Sequence, residues 1–115
     1  MSRDTVYLKH IIDEAHFLRS VSKGLRETSL KKDPVRQRAI ARSLEVVGEA
    51  VKNLSDEFKS LHPETDWRSI AGLRDKLIHH YFGIDWDVVW DILKIEIPKL
   101  EITVVRALEA QDGKL

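Results

Sequence analysis

Apolar residues recur at spacings of three and four along nearly the whole chain, and no stretch of five or more residues alternates cleanly between apolar and polar. That is the period of helices with one buried face, not of strands. The first segment opens near Asp4, read as an N-cap, and sets Leu8, Ile11, Ile12, Ala15, Leu18 and Leu25 on one side. It fades between Gly24 and Leu30. Asp33-Pro34 restarts the chain, because Asp caps orphan N–H groups and Pro fits a first helical position. Ile40, Leu44, Val47, Val51 and Leu54 then follow at strict four–three spacing, and Ser55 caps a short segment that His62-Pro63 ends. Asp66 caps the next helix, with Ile70, Leu73 and Leu77 inward, until Gly83 breaks it. Asp85 caps the last, whose apolar face reads Trp86, Trp90, Leu93, Ile97, Leu100, Val104 and Leu108. Pro98 lies inside that series and is expected to kink the helix or split it in two. The pattern predicts an all-α fold, an up-and-down antiparallel bundle of four to five helices with short connections.

Length and composition narrow the picture. The chain has 115 residues, with no internal repeat or low-complexity stretch, so one domain over residues 1–115 is expected. The absence of Cys excludes a disulfide framework, a thiolate nucleophile and a Cys-based zinc site. The charged stretch from Met1 to His10 does not read as a signal peptide, and no apolar run reaches the length of a membrane span, so a cytoplasmic protein away from membranes is expected. Asn53 is the only Asn, Gln37 and Gln111 the only Gln, while a third of the chain is charged, a profile associated with heat stability. Gly48 and Gly72 sit within predicted helices, which implies either a tight helix crossing or the close approach of a ligand.

Charge is balanced overall, with 19 basic and 19 acidic residues, but not locally. From Arg19 to Arg42 eight basic residues face two acidic ones, a local +6. From Asp85 to Asp112 the balance is −4. The basic stretch, with Lys31, Lys32, Arg36 and Arg38 at its centre, reads either as a track for a phosphate backbone or as a solvated face paired with the acidic helix.

Two apparent motifs carry no chemistry. Asp13-Glu14-Ala15-His16 matches the DEAH string of helicase ATPases, but it falls inside an amphipathic helix and no Gly-rich phosphate loop accompanies it. His10, His16 and His62 lack metal-ligand spacing and read as surface or capping residues.

Chemistry concentrates between Trp67 and Trp90, where Arg74, Asp75, His79, His80 and Tyr81 cluster at a helix end beside a Gly and three Trp. Arg74 and Tyr81, seven apart, share a face. Asp75 and His79 form an i, i+4 pair in which the carboxylate can fix the imidazole tautomer. Arg74 and His79 point about 140° apart on a regular helix, so they converge on one ligand only through the reach of Arg, a frayed last turn or a symmetric interface. The set suits phosphate handling: Arg forks two phosphate oxygens, and His moves a proton near neutrality. RNA supplies its own 2′-OH nucleophile, so no cofactor is required. Spacing alone favours salt bridging and packing as the role of these residues.

The segment resembles the HepT-like group of the HEPN superfamily (domain of unknown function 86), small helical toxins of prokaryotic toxin–antitoxin operons. The motif there is Arg, four residues, His, one residue, Tyr, and this chain reads Arg74-(Asp-Lys-Leu-Ile)-His79-His80-Tyr81. The flanks match as well: W-x-x-I-A-G-L-R-D before, Y-F-G-I-D after, I-P-x-L from Ile97 to Leu100, and Leu44 to Ala50 upstream. The resemblance implies a helical bundle that pairs as a homodimer around a cleft lined by the Arg-His motifs, and metal-independent ribonuclease activity. It also implies neutralisation by a minimal nucleotidyltransferase antitoxin that adenylylates the motif Tyr. Carried onto this chain, Arg74 clamps the scissile phosphate, His79 is the general acid/base, and Tyr81 contacts RNA and accepts AMP. Asp75 as orienter follows from spacing. A non-catalytic subunit that binds or is modified by the nucleotidyltransferase is the alternative. Trp86 and Trp90, on one face beside the motif, add an expectation of dimerisation, since a small bundle has limited room for three Trp.

Overall fold

Three long helical runs lie side by side, each amphipathic, in a computed structural model that describes residues 3–73, 75, 77 and 83–112. Helix α1 spans Arg3–Ser22, a short α2 spans Glu27–Leu30, and α3 spans Pro34–Lys52. Two short helices follow, α4 over Asp56–Leu61 and α5 over Trp67–Ala71. The last run comprises α6 over Trp86–Asp91, a π-helical turn over Ile92–Glu96, and α7 over Ile97–Asp112. Among the described residues there is no strand.

Hydrogen bonds at both ends fix the directions. Arg36 Nε at the start of α3 donates to Val21 O near the end of α1 at 3.1 Å, and Arg3 Nη2 donates to Asn53 O just past α3 at 3.2 Å. Helices α1 and α3 are therefore antiparallel. Thr5 Oγ1 donates to Gln111 Oε1 at 2.8 Å, while Arg19 pairs with Glu101, so α7 is antiparallel to α1 as well. The fold is an all-α up-and-down bundle. Its dry centre comes from Leu8, Ile11 and Leu18 of α1, Ile40, Leu44, Val47 and Val51 of α3, and Leu100 and Val104 of α7, all but inaccessible to water. These are the positions the three–four spacing selects, because that spacing keeps a stripe of side chains on one side of each helix.

Local capping chemistry starts most helices where the sequence indicates. Asp33 Oδ1 accepts from Arg36 N at 3.0 Å, Ser55 Oγ from Phe58 N at 3.1 Å, Asp66 Oδ1 from Ser69 N at 3.1 Å, and Asp85 Oδ1 from Asp87 N at 3.0 Å. Each satisfies an N–H with no partner inside the helix. Asp4 behaves differently. It spans to α4, where its carboxylate accepts from Ser55 N at 2.7 Å and Ser55 Oγ at 2.6 Å. The residue read as a local cap thus anchors the chain leaving α3.

Pro98 neither breaks the helix nor takes it out of helical dihedrals. The π turn ahead of it bonds Ile97 N to Ile92 O, and Ile97 keeps φ −65 and ψ −45. This resets the hydrogen-bond ladder so that Pro98 falls in the first turn of α7, where a missing N–H leaves no intrahelical bond unmade. Gly48 is buried in α3, as a crossing point requires. Gly72 ends α5, and a Cβ there would meet only carbonyls of its own turn, Arg68 O at 3.4 Å and Ser69 O at 3.5 Å, among the described residues. Its φ of −70 and ψ of −14 are open to any residue, so nothing among the described residues explains that glycine.

Candidate active site and nucleic-acid surface

The segment that carries the chemistry is held at both ends. Upstream, Trp67 is buried at the head of α5, stacks edge-on against Phe58 at 5.7 Å, and donates Nε1–H to His62 O at 2.9 Å. That ties α5 to α4 and fixes where the chain enters the segment. After the turn at Gly72 the backbone is helical again at Leu73, Asp75 and Leu77. Leu77 is buried, Leu73 is half-buried, and Asp75 is exposed, so one side faces the core and Asp75 looks outward. Downstream, Gly83 is exposed, Ile84 is half-buried, and Asp85 caps α6. Arg74, His79, His80 and Tyr81 lie outside the described residues.

Leu73 and Leu77 on one side and Gly83, Ile84, Asp85, Val88, Val89 and Ile92 on the other line a mostly apolar cleft of about 310 Å³. Apart from Asp85, which caps α6, the side chains lining it hold no proton and no charge.

The four basic candidates have different surroundings. Lys31 Nζ lies 2.7 Å from Asp87 Oδ1. Arg36 is held by Asp33 Oδ2 at 2.7 Å and by Val21 O. Lys32 and Arg38 are exposed. Among the described residues the basic turn thus meets the acidic helix through Lys31 and Asp87, with Lys32 and Arg38 exposed beside that contact. The Asp87 bond raises the Lys31 pKa, and the same bond holds the Asp87 carboxyl below its usual value. Glu27 is raised, chiefly because it shares a hydrogen bond with Asp87. Hydrogen bonds from Arg36 hold Asp33 low, and those from Ser69 do the same to Asp66.

Spacing did not single out Glu101. It is buried on the inner edge of α7, where Oε1 accepts from Arg19 and Oε2 lies 3.1 Å from His16 Nε2. The available signal was an acid on an apolar stripe, between Ile97 and Val104. Within the DEAH string, Glu14 accepts from Ser43 Oγ at 2.8 Å, Ala15 is buried, and His16 belongs to the Glu101 cluster. Trp86 and Trp90 are half-buried at the core's edge, with Lys94 Nζ 4.7 Å above the Trp90 ring, so they present less free aromatic surface than the sequence suggests. Among the described residues no group of three or more His, Asp or Glu is placed to hold a metal, and no helix is long and apolar enough to cross a membrane.

Known proteins are similar to this chain over most of its length. A protein of Caldanaerobacter subterraneus subsp. tengcongensis named as a candidate RNase is 48% identical over 91% of the chain and 94% of its own length. One of Methanocaldococcus jannaschii, also named as a candidate RNase, is 48% identical over 70% of the chain and 69% of its own length. One of Thermococcus cleftensis, named as a candidate ribonuclease HepT, is 41% identical over 83% of the chain and 86% of its own length. No solved structure matches. Residues 11–107, which include the whole Arg74–Tyr81 segment and the helices that hold it, match the family described as ribonuclease HepT-like, and the chain belongs to that family.

Proposed function

We propose that this protein is the toxin of a prokaryotic toxin–antitoxin pair, an endoribonuclease that cleaves RNA by attack of the substrate's own 2′-OH. The observation that carries the reading is the family match across residues 11–107, within which the sequence places Arg74, His79 and Tyr81 at the family's motif spacing. Arg74 binds the scissile phosphate and stabilises the charge that builds on it. His79 removes the 2′-OH proton and returns one to the leaving 5′ oxygen, helped by the outward-facing Asp75. Because the nucleophile belongs to RNA, the reaction needs no metal. Tyr81 contacts RNA and accepts AMP from a minimal nucleotidyltransferase antitoxin, which silences the toxin. The active unit is a homodimer. A second copy brings Arg and His together across a shared cleft, and the exposed Val88, Ile95 and Ile102 of the last helical run supply apolar surface for it.

The test is RNA degradation in EDTA by the wild type and by Arg74→Ala and His79→Ala. Cleavage by the wild type that both substitutions abolish supports the reading. Intact single-stranded and transfer RNA after long exposure to excess wild-type protein defeats it, and leaves a binding subunit for the nucleotidyltransferase. Intact mass after incubation with the neighbouring nucleotidyltransferase and ATP should rise by AMP units, and Tyr81→Phe should block the gain. Addition that survives Tyr81→Phe defeats the Tyr81 assignment.

A further inference from the structure

The end of α1 and the π turn enclose a second groove, of about 210 Å³, outside the Arg74–Tyr81 motif. Its floor is apolar, from Leu18, Leu93, Ile97 and Pro98. Its rim carries Arg19, Lys23 and Lys94. Arg19 is engaged by Glu101, the one carboxylate on the rim. Lys23 and Lys94 are exposed, and neither makes a salt bridge among the described residues. Three cations therefore face one carboxylate around an apolar floor.

We propose that this groove binds the sugar–phosphate backbone of single-stranded RNA, with Lys23 and Lys94 as phosphate contacts. The inference rests on the ribonuclease reading above and extends it to a place where substrate is held outside the motif. Three observations converge. Phosphate contacts come from cations that are not already neutralised, and Lys23 and Lys94 meet that condition where Lys31 and Arg36 are held by carboxylates. An apolar floor under a basic rim matches a ribose and base face beneath a charged backbone, and Lys94 stands over the half-buried Trp90 ring, the pairing of cation and aromatic found in single-strand channels. The groove also neighbours the cleft lined by Leu73 and Leu77. Leu93 and Lys94 line the groove, while the preceding residue, Ile92, lines that cleft, so one π turn separates the two. Extra-wide turns of this kind occur often at functional sites, because they re-aim the side chains they carry.

The probe is a fluorescein-labelled 2′-O-methyl RNA 12-mer of mixed sequence, which binds but cannot be cleaved through a 2′-OH. Anisotropy titrations across a salt series compare the wild type with Lys23→Gln/Lys94→Gln, and with Lys9→Gln/Lys52→Gln at the opposite end of α1. Each lost single-strand phosphate contact removes about 0.7 from the slope of log Kd against log salt, so the groove pair should lose about 1.4 in slope and bind about 25-fold more weakly at 0.1 M salt. The control pair should change binding about threefold or less. Lys23→Arg/Lys94→Arg keeps the charge and should bind like the wild type, which keeps the test readable if the Gln pair melts early. Equal losses from both Gln pairs, or a wild type that ignores the probe, overturn the groove. A protein that binds the probe through Lys23 and Lys94 yet cleaves no RNA leaves the groove standing and defeats the ribonuclease reading. Cleavage that needs Arg74 while the groove pair binds normally defeats the groove alone.

Discussion

Lys31 Nζ lies 2.7 Å from Asp87 Oδ1, so the basic turn after α2 is tied to the first turn of α6. The two opposite charge surpluses of the chain meet at this contact. A phosphate that takes Lys31 must displace Asp87. Replacing Asp87 with Asn removes that competitor. If Lys31 contacts RNA, Asp87→Asn should tighten binding about fivefold at 0.1 M salt and steepen the salt slope by about 0.7. An unchanged slope would assign Lys31 to the bundle surface alone.

The same cluster sets an acid-side signature. Glu27 has a raised pKa in the folded protein, so its contribution to stability is present below its unfolded value of 4.5 and is lost as pH rises through the folded value. Asp87 is lowered, so its contribution is present above 3.8 and is lost as pH falls through the folded value. On acidification stability should first rise as Glu27 takes up a proton and donates it to Asp87, then fall as Asp87 itself titrates. Glu27→Gln, which mimics the protonated form, should remove the rise and keep the fall. Urea midpoints measured between pH 6 and pH 3 read both limbs.

Glu101 joins α1 to α7 through two exposed side chains, Arg19 and His16. Glu101→Ala strands no buried charge, because His16 and Arg19 remain hydrated, so the cost is that of losing charge-assisted hydrogen bonds, about 1.5–3 kcal/mol. Chemical denaturation measures it. Leu44→Ala, wholly inside the core, should cost more, about 3–5 kcal/mol. A larger loss at Glu101 than at Leu44 would mean the ion cluster, not apolar packing, holds the bundle.

Pro98→Ala in a regular helix interior would gain about 3 kcal/mol. Here Pro98 occupies the first turn of α7, after the ladder has been reset, so the gain should stay below about 1 kcal/mol. Returning the π turn to an α turn would rotate Leu100 and Val104 out of the core. A gain near 3 kcal/mol by denaturant titration would show that the proline alone imposes the π turn.

Asp75 is exposed on the helical stretch after Gly72, four residues ahead of His79. As an orienter it stabilises the imidazolium, so Asp75→Asn should lower RNA cleavage about tenfold and move the histidine limb of the pH–rate profile to lower pH. A reduced rate with an unmoved profile would mean that Asp75 serves packing instead.

Much of the architecture was legible because its causes are local. Leu8, Ile11, Ala15 and Leu18, or Ile40, Leu44, Val47 and Val51, state their buried face through spacing alone. Asp33, Ser55, Asp66 and Asp85 cap N–H groups two or three residues ahead of them, within the same short window. Asp4 looked the same in sequence and is not, because its Ser55 partner lies 51 residues away and competes for the same carboxylate. The candidate site was legible as a motif, Arg74 to Tyr81, set among flanks matched over residues 11–107. Its neighbouring surfaces were not. Trp90 and Lys94 are four apart and so neighbours on a helix, but nothing in the spacing shows that Lys94, counted within an acidic helix, shares a groove with Lys23.

The sequence by itself determined the helical class, most helix starts, the buried stripes and the family motif, since all of these depend on interactions between residues within a few positions of one another. Only the tertiary structure decided which polar groups meet: Asp4 with Ser55, Arg19 and His16 with Glu101 across α1 and α7, Lys31 with Asp87. It also decided that Pro98 would be absorbed by a π turn and not by a break. Those outcomes depend on how far one helix slides and rotates against another, which the packing of whole faces sets and no local window of residues encodes.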